Sequence, residues 1–286
     1  MPAQHDLVIR GGTVADGTGS PLYTADVAVS GGKIAAVGKI SGSGREEIDA
    51  RGLLVAPGFV DCHSHYDAQA IWDERLLPSG WQGVTTTVMG NCGVGFAPVR
   101  EGDRETLIEL MEGVEDIPGP VLREGLSWEW SSFGEYLDAL ERRPHDMDVC
   151  TQVPHSALRV FVMGDRAVRR EAATPEDIAE MRALTREAIE AGALGFSTSL
   201  SDNHRTPSGD FIPSRGAAAE ELAGIACGLT DAGRGVLQII LNLGPDPVQR
   251  EKEFAIVRGM VEASGRPLSR GVLQRIRDPE SWCHTM

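Results

Sequence analysis

The sequence predicts an α/β protein in which a small β module precedes a parallel, barrel-like sheet. Two observations carry this expectation. After residue 55, short runs rich in branched aliphatics alternate with segments of helical period, the pattern of strand–helix–strand units. Before residue 55 only short strand-like runs occur, and glycine turns join them.

The first module is expected over 1–55, as a small β-sandwich-like unit. Leu7-Val8-Ile9 and Ala25-Asp26-Val27-Ala28-Val29 read as strands. The pair Gly31-Gly32 then leads into Ile34-Ala35-Ala36-Val37, a hairpin signal. The rest, 56–286, is expected to be a partial barrel with an insertion around 100–144.

The barrel region opens on Leu53-Leu54-Val55-Ala56-Pro57-Gly58-Phe59-Val60-Asp61-Cys62-His63-Ser64-His65. This run is too short for a comfortable helix and predicts a buried strand. Side chains on a strand alternate faces, so His63 and His65 project together. Two imidazoles at the carboxyl end of a buried strand are placed to chelate one metal ion, since neutral imidazole suits zinc and its neighbours. A second branched run, Val84 to Met89, ends in Gly90-Asn91-Cys92-Gly93. The stretch between the two runs is long enough for a helix, so parallel neighbours are expected. Their carboxyl ends would lie side by side and bring Cys92 near the histidines. The flanking glycines permit the tight turn this needs.

Asp148 to Val153 is the third expected strand. Thr174-Pro175-Glu176-Asp177 opens a helix with a capping box and proline in its first turn. Ile178, Met181, Ala188 and Ile189 give that helix an apolar face, and Gly192 ends it. Strands are expected over 193–200, 235–241 and 267–273, and helices over 217–232 and 248–263. Between 100 and 144 the repeat breaks. Trp128-Glu129-Trp130 and the helical run Phe133 to Leu140 fit either a lid over the site or a packing excursion that buries two tryptophans.

Composition narrows the function. Of 286 residues 41% are hydrophobic, which is enough to bury a core. No apolar stretch reaches bilayer length, and the N-terminus has no signal-peptide core. These features predict a cytoplasmic protein with no membrane partner. Five scattered cysteines argue against a disulfide framework. A net charge of −15 disfavours nucleic acid and anionic membranes. It also means that an anionic substrate would need local cations. No Gly-x-x-x-x-Gly-Lys-Ser/Thr phosphate loop is present.

The run Pro57 to His65 resembles the first-strand motif of the amidohydrolase superfamily. The extension Tyr66-Asp67-Ala68-Gln69, the segment Gly83 to Gly93 and the segment Gly192 to Leu200 resemble, more narrowly, the N-acyl-D-amino-acid deacylases, or D-aminoacylases. The resemblance runs along nearly the whole chain. It implies a (β/α)8 TIM barrel in which His63, His65 and Cys92 bind zinc, with one or two divalent ions. It implies hydrolysis of a small-molecule N-acyl-D-amino acid to a carboxylate and a D-amino acid. In that family two further histidines come from the fifth and sixth strands, and a catalytic aspartate comes from the eighth. Here the fifth expected strand, Val236 to Asn242, and the sixth, Leu268 to Gln274, hold no histidine. Five or six strands are counted before Met286, so an incomplete, C-terminally truncated barrel is expected. The catalytic residue is unassigned, and residues 275–286 read as the start of another helix. An open sheet edge implies self-association, and the chain alone is expected to have negligible deacylase activity. A non-enzymatic metal-binding relative is the reading from another class. The enzymatic alternative is a cyclic-amide hydrolase of the hydantoinase or dihydroorotase type. Those commonly carry a carboxylated lysine on the fourth strand, and 193–200 has no lysine.

Two loops on the same rim complete the candidates. Val153-Pro154-His155-Ser156-Ala157-Leu158-Arg159 offers His155 and Arg159 for a substrate carboxylate, because arginine suits bidentate contact. Asn203-His204-Arg205 reads as a solvated turn more readily than as a substrate contact. His5, His145 and His284 lie in polar surroundings and are given no role.

Overall fold

The computed structural model describes residues 3–242, 244, 246–272 and 283. It divides into two compact units, Met1–Phe59 and Val60–Met286. In the first unit the strands are β1 (His5–Val14), β2 (Tyr23–Ser30), β3 (Lys33–Gly38), β4 (Gly44–Asp49) and β5 (Leu54–Val55). They form one sheet in the order β3-β2-β1-β4, with β5 also on β1, rather than two facing sheets. The β1–β2 and β2–β3 pairs are antiparallel, as the Gly31-Gly32 hairpin requires. Val14, Ala25 and Val27 form its small core with Ile9 and Val55.

The second unit alternates strands and helices. Its elements are β6 (Phe59–Asp61), α1 (Leu77–Gly80), β7 (Val84–Met89), α2 (Arg104–Glu115), α3 (Gly119–Gly125), α4 (Phe133–Glu141), β8 (Asp148–Thr151) and β9 (Val153–Pro154). They continue with α5 (His155–Met163), α6 (Asp165–Val168), α7 (Pro175–Ala191), β10 (Gly195–Ser199), α8 (Ala219–Asp231), β11 (Val236–Ile240), α9 (Pro247–Ser264) and β12 (Leu268–Arg270). The sheets run β6-β7-β8 and β9-β10-β11-β12. Their β7–β8, β9–β10, β10–β11 and β11–β12 pairs are parallel. Strands β8 and β9 are one extended segment interrupted at Gln152. Its N–H donates to Met89 O at 3.0 Å, while Leu194 N–H donates to Thr151 O at 2.8 Å. One stave thus carries the ladder from the first sheet to the second, and the six staves β6, β7, β8/β9, β10, β11 and β12 are adjacent in chain order. The architecture is a partial (β/α) barrel.

Helices cover its outer face. Met181, Ala188 and Ile189 of α7, Leu222, Ile225 and Leu229 of α8, and Met260 of α9 share a buried core with Phe196, Leu237 and Ile239. The α7 cap is as its sequence predicts: Thr174 Oγ1 accepts Asp177 N–H at 3.2 Å, and the Asp177 carboxylate accepts Thr174 N–H at 2.8 Å. No helix among the described residues is long and apolar enough to cross a membrane.

Two expectations change, and one alternative left open is resolved. The run 53–65 is not one buried strand. Pro57-Gly58 splits it into β5 and β6, and β6 is the outer member of its sheet. Phe59 and Val60 of β6 are therefore 66% and 63% exposed, and Leu54 of β5 is 63% exposed. The connection from β6 to β7 holds only a 3-10 turn (Gln69–Ile71) and the single turn α1. The 100–144 segment packs inward: the Trp130 indole N–H donates to Phe96 O at 2.8 Å, and Tyr136 donates its hydroxyl to Asp67 O at 2.7 Å. Of the sixth expected strand Leu268–Arg270 forms, and Leu273 lies outside the described residues, as does the expected terminal helix apart from Cys283.

Candidate metal centre

His63 and His65 follow the end of β6, and their ring centroids lie 5.4 Å apart. Cys92 Sγ is 3.3 Å from His63 Nε2. One donor atom from each of His63, His65 and Cys92 falls within 4.8 Å of the others. The structure therefore brings together the three residues singled out in the sequence.

The turn that carries Cys92 is held from four staves. Asn91 Nδ2 donates to Ser64 O and Val88 O at 3.1 and 2.8 Å, and Gln152 Nε2 donates to Asn91 Oδ1 at 2.8 Å. Cys92 N–H donates to Gln238 Oε1 at 3.1 Å, and Gly93 N–H donates to Ser197 Oγ at 3.0 Å. Ser197 in turn donates to Gly90 O. Gly90 explains why the motif begins with glycine. Its φ is +74°, and a Cβ there would meet Gln152 O at 2.2 Å. Cys92 itself adopts a left-handed φ of +57°, a conformation that costs about 1–2 kcal/mol for a residue with a side chain. The hydrogen bonds on both sides sustain it.

The electrostatics suit a cation. Burial lowers the pKa of His65 to about 3, helped by His63 and His204, and lowers that of His204 to about 4. Burial also lowers His63. These imidazoles are neutral near pH 7, the form that ligates. Burial pushes the Cys92 thiol well up, and nearby Glu115 and Asp67 add to this. Two carboxyls are also raised mainly by burial, Asp67 to about 8 and Glu115 to about 7. Glu115 Oε1 lies 3.2 Å from His65 Nε2. His65 Nδ1, Asp67 Oδ2, His204 Nδ1 and Gln238 Nε2 are buried polar atoms with no hydrogen-bond partner among the described residues.

His155 and Arg159 lie elsewhere than a substrate-facing loop. The third stave runs straight into α5, whose first residue is His155. Both residues are fully buried. His155 Nε2 is 2.9 Å from Glu221 Oε1, and its Nδ1 is 2.8 Å from Thr198 Oγ1. Arg159 donates to Pro213 O and Glu171 O, both at 2.6 Å, and its Nε sits 3.2 Å from Glu221. Their polar atoms face protein partners. His204 is more enclosed than a solvated turn implies. The next residue bridges to Phe211, and the Arg205 carbonyl packs so closely on α2 that a Cβ at Gly113 would meet it at 2.2 Å. Sequence reading missed Glu115, Gln238, Gln152 and Ser197. Nothing in the local sequence sets these residues apart from their neighbours, and only the fold brings them to the site.

Residues 46–285 match the Amidohydrolase family, and the chain belongs to that family. It is 40% identical over 194 residues to the D-aminoacylase of Alcaligenes xylosoxydans xylosoxydans, covering 68% of this chain and 37% of the relative. Among solved structures it resembles the D-aminoacylase described for the functional role of its binuclear metal center. That match has 35% identity and a TM-score of 0.74 over 92% of this chain and 50% of the other. It also resembles the N-acyl-D-glutamate deacylase of Bordetella bronchiseptica, solved with zinc and a phosphonate mimic of the tetrahedral intermediate. Identity there is 30% and the TM-score 0.75, over 92% of this chain and 50% of the other. The chain thus spans about two-fifths of the curated relative and half of each solved one.

Proposed function

We propose that the protein is a metal-dependent amidohydrolase acting on N-acyl-D-amino acids, with zinc held by His63, His65 and Cys92. The convergence of these two nitrogens and one sulfur within 4.8 Å carries the reading, because this donor set suits zinc. The orphaned His65 Nδ1 fits it as well. Glu115, 3.2 Å from Nε2, is placed to accept the proton on that nitrogen. This would leave the Nδ1 lone pair for the metal, the usual carboxylate–histidine arrangement. A zinc ion bound there supplies Lewis acidity toward an amide carbonyl and acidifies water. The chain's own residues supply the frame. Asn91, Gln152, Ser197 and Gln238 fix the Cys92 turn, and the neutral Asp67 carboxyl holds a proton beside it at neutral pH. The names of the relatives favour D-configured acyl amino acids, and β10 (Gly195–Ser199) has no lysine for a hydantoinase-type centre.

Zinc-loaded protein assayed with N-acyl-D-amino acids, their L-enantiomers and hydantoins tests the reading. Any turnover is expected to be confined to the D-series, and at most weak for the chain alone. Turnover of hydantoins alone would overturn it. Zinc binding with no turnover in any series would favour the non-enzymatic, metal-binding reading.

Proton release gives a second expected result. Metal binding must deprotonate Cys92, whose thiol is held neutral by burial. Burial lowers both His63 and His65, so near neutral pH the histidines contribute little to proton release. Apparent zinc affinity therefore rises with pH, by at least about tenfold per unit between pH 6 and 8 for one thiol proton. Calorimetric titration at several pH values measures it, and a flat profile would show that Cys92 is not a ligand.

A further inference from the structure

Gln238 lies in β11, the fifth stave, in register with Ser197 of β10 and Ser269 of β12. Register partners in a parallel sheet face the same way. Ser197 bonds the Gly90–Gly93 turn, so this layer faces the candidate centre. Gln238 is only 3% exposed. Its Oε1 accepts Cys92 N–H, which fixes the amide orientation, because a nitrogen there would set donor against donor. The Nε2 group is then a buried donor pair with no partner among the described residues. A buried donor left unmet costs about 1–3 kcal/mol, so a position that keeps one is matched to an acceptor that arrives with a ligand.

We infer that Gln238 is an oxyanion-binding residue: its side-chain oxygen holds the Cys92 turn while its NH2 group donates to the acyl oxygen of the scissile amide. This rests on the deacylase reading above. Hydrolysis adds water across the C–N bond, giving a carboxylate and an amine. The carbonyl oxygen gains negative charge when water adds and loses it when the amine departs. Gln238 transfers no proton; it is a fixed dipole aimed at that charge, the kind of donor whose loss weakens the charged adduct most. A neutral amide also leaves the charge of the His63, His65 and Cys92 set unchanged.

The test uses the phosphonate analogue of an N-acetyl-D-amino acid, in which tetrahedral phosphorus replaces the scissile carbonyl carbon, titrated into zinc-loaded protein. Gln238→Glu keeps an oxygen for Cys92 N–H and removes the donor. Gln238→Met keeps the shape without a buried charge, should the first variant fold poorly. Gln238→Glu is expected to retain zinc because it keeps an acceptor for Cys92 N–H, Gln238→Met to bind zinc more weakly because it does not, and both, with zinc saturating, to bind the phosphonate roughly 10–100-fold more weakly. Unchanged phosphonate affinity with zinc retained would overturn the role of Gln238 alone. Loss of zinc from both variants would also overturn it, since Gln238 would then act through Cys92. A wild type that retains zinc but binds no phosphonate would sink the deacylase reading, and the oxyanion role with it.

Discussion

Zinc content is expected to fall from at least one equivalent per chain to background when His63 and His65 are both replaced by alanine. The two imidazoles are the donors that are neutral without any help from the metal. Once they are gone, Cys92 alone must hold the ion, and its thiol resists ionisation because it is buried beside Glu115 and Asp67. Even an outer partner of a metal-bound histidine is worth roughly 10–100-fold in affinity, so loss of two direct donors exceeds that range. The fold should survive the change. His63 is exposed, and apart from its own 3.3 Å contact with Cys92 Sγ the hydrogen bonds named above that hold the Cys92 turn use no histidine. Metal analysis after dialysis, beside circular dichroism of both proteins, provides the check. Equal zinc in the double variant and the wild type would refute the assignment of the centre.

What the sequence reveals follows from how many residues carry each signal. The staves 84–89, 148–154, 195–199 and 236–240 each lie where the sequence predicts a strand. Helix α7 is legible because a capping box, a proline and a terminal glycine mark it redundantly. The segment 53–65 misleads because hydrophobicity reports neighbours and not burial: Phe59 and Val60 look like core, yet they sit on an outer strand. Helix α5 is hidden because His155 and Arg159 resemble loop residues, and their partner Glu221 lies 66 positions from His155. The metal trio is readable because His63 and His65 share one short motif. Glu115 and Gln238 are not, since the sheet and α2 must form before either approaches the site.

Glu221→Ala is expected to destabilise the second unit by about 3–5 kcal/mol, the usual cost of stripping one member from a buried ion pair. Glu221 is 1% exposed and meets both His155 and Arg159. Its removal leaves an enclosed guanidinium facing an apolar side chain. Burial already disfavours the charge on Arg159, and the Glu221 carboxylate is the leading influence that opposes this. The damage should reach the metal turn. A Cβ at Gly93 would lie 3.5 Å from His155 Cβ and 3.2 Å from Thr198 Cα, and Ser156 N–H donates to Gly93 O at 2.8 Å. The network therefore backs the residue next to Cys92, and zinc affinity should fall along with stability. Replacing the whole pair, Glu221→Leu with Arg159→Met, should recover part of the loss, because no uncompensated charge remains. Urea unfolding of the zinc-free proteins separates these outcomes. A single variant within about 1 kcal/mol of wild type would show that water reaches Arg159 and that the network is not a dry ion cluster.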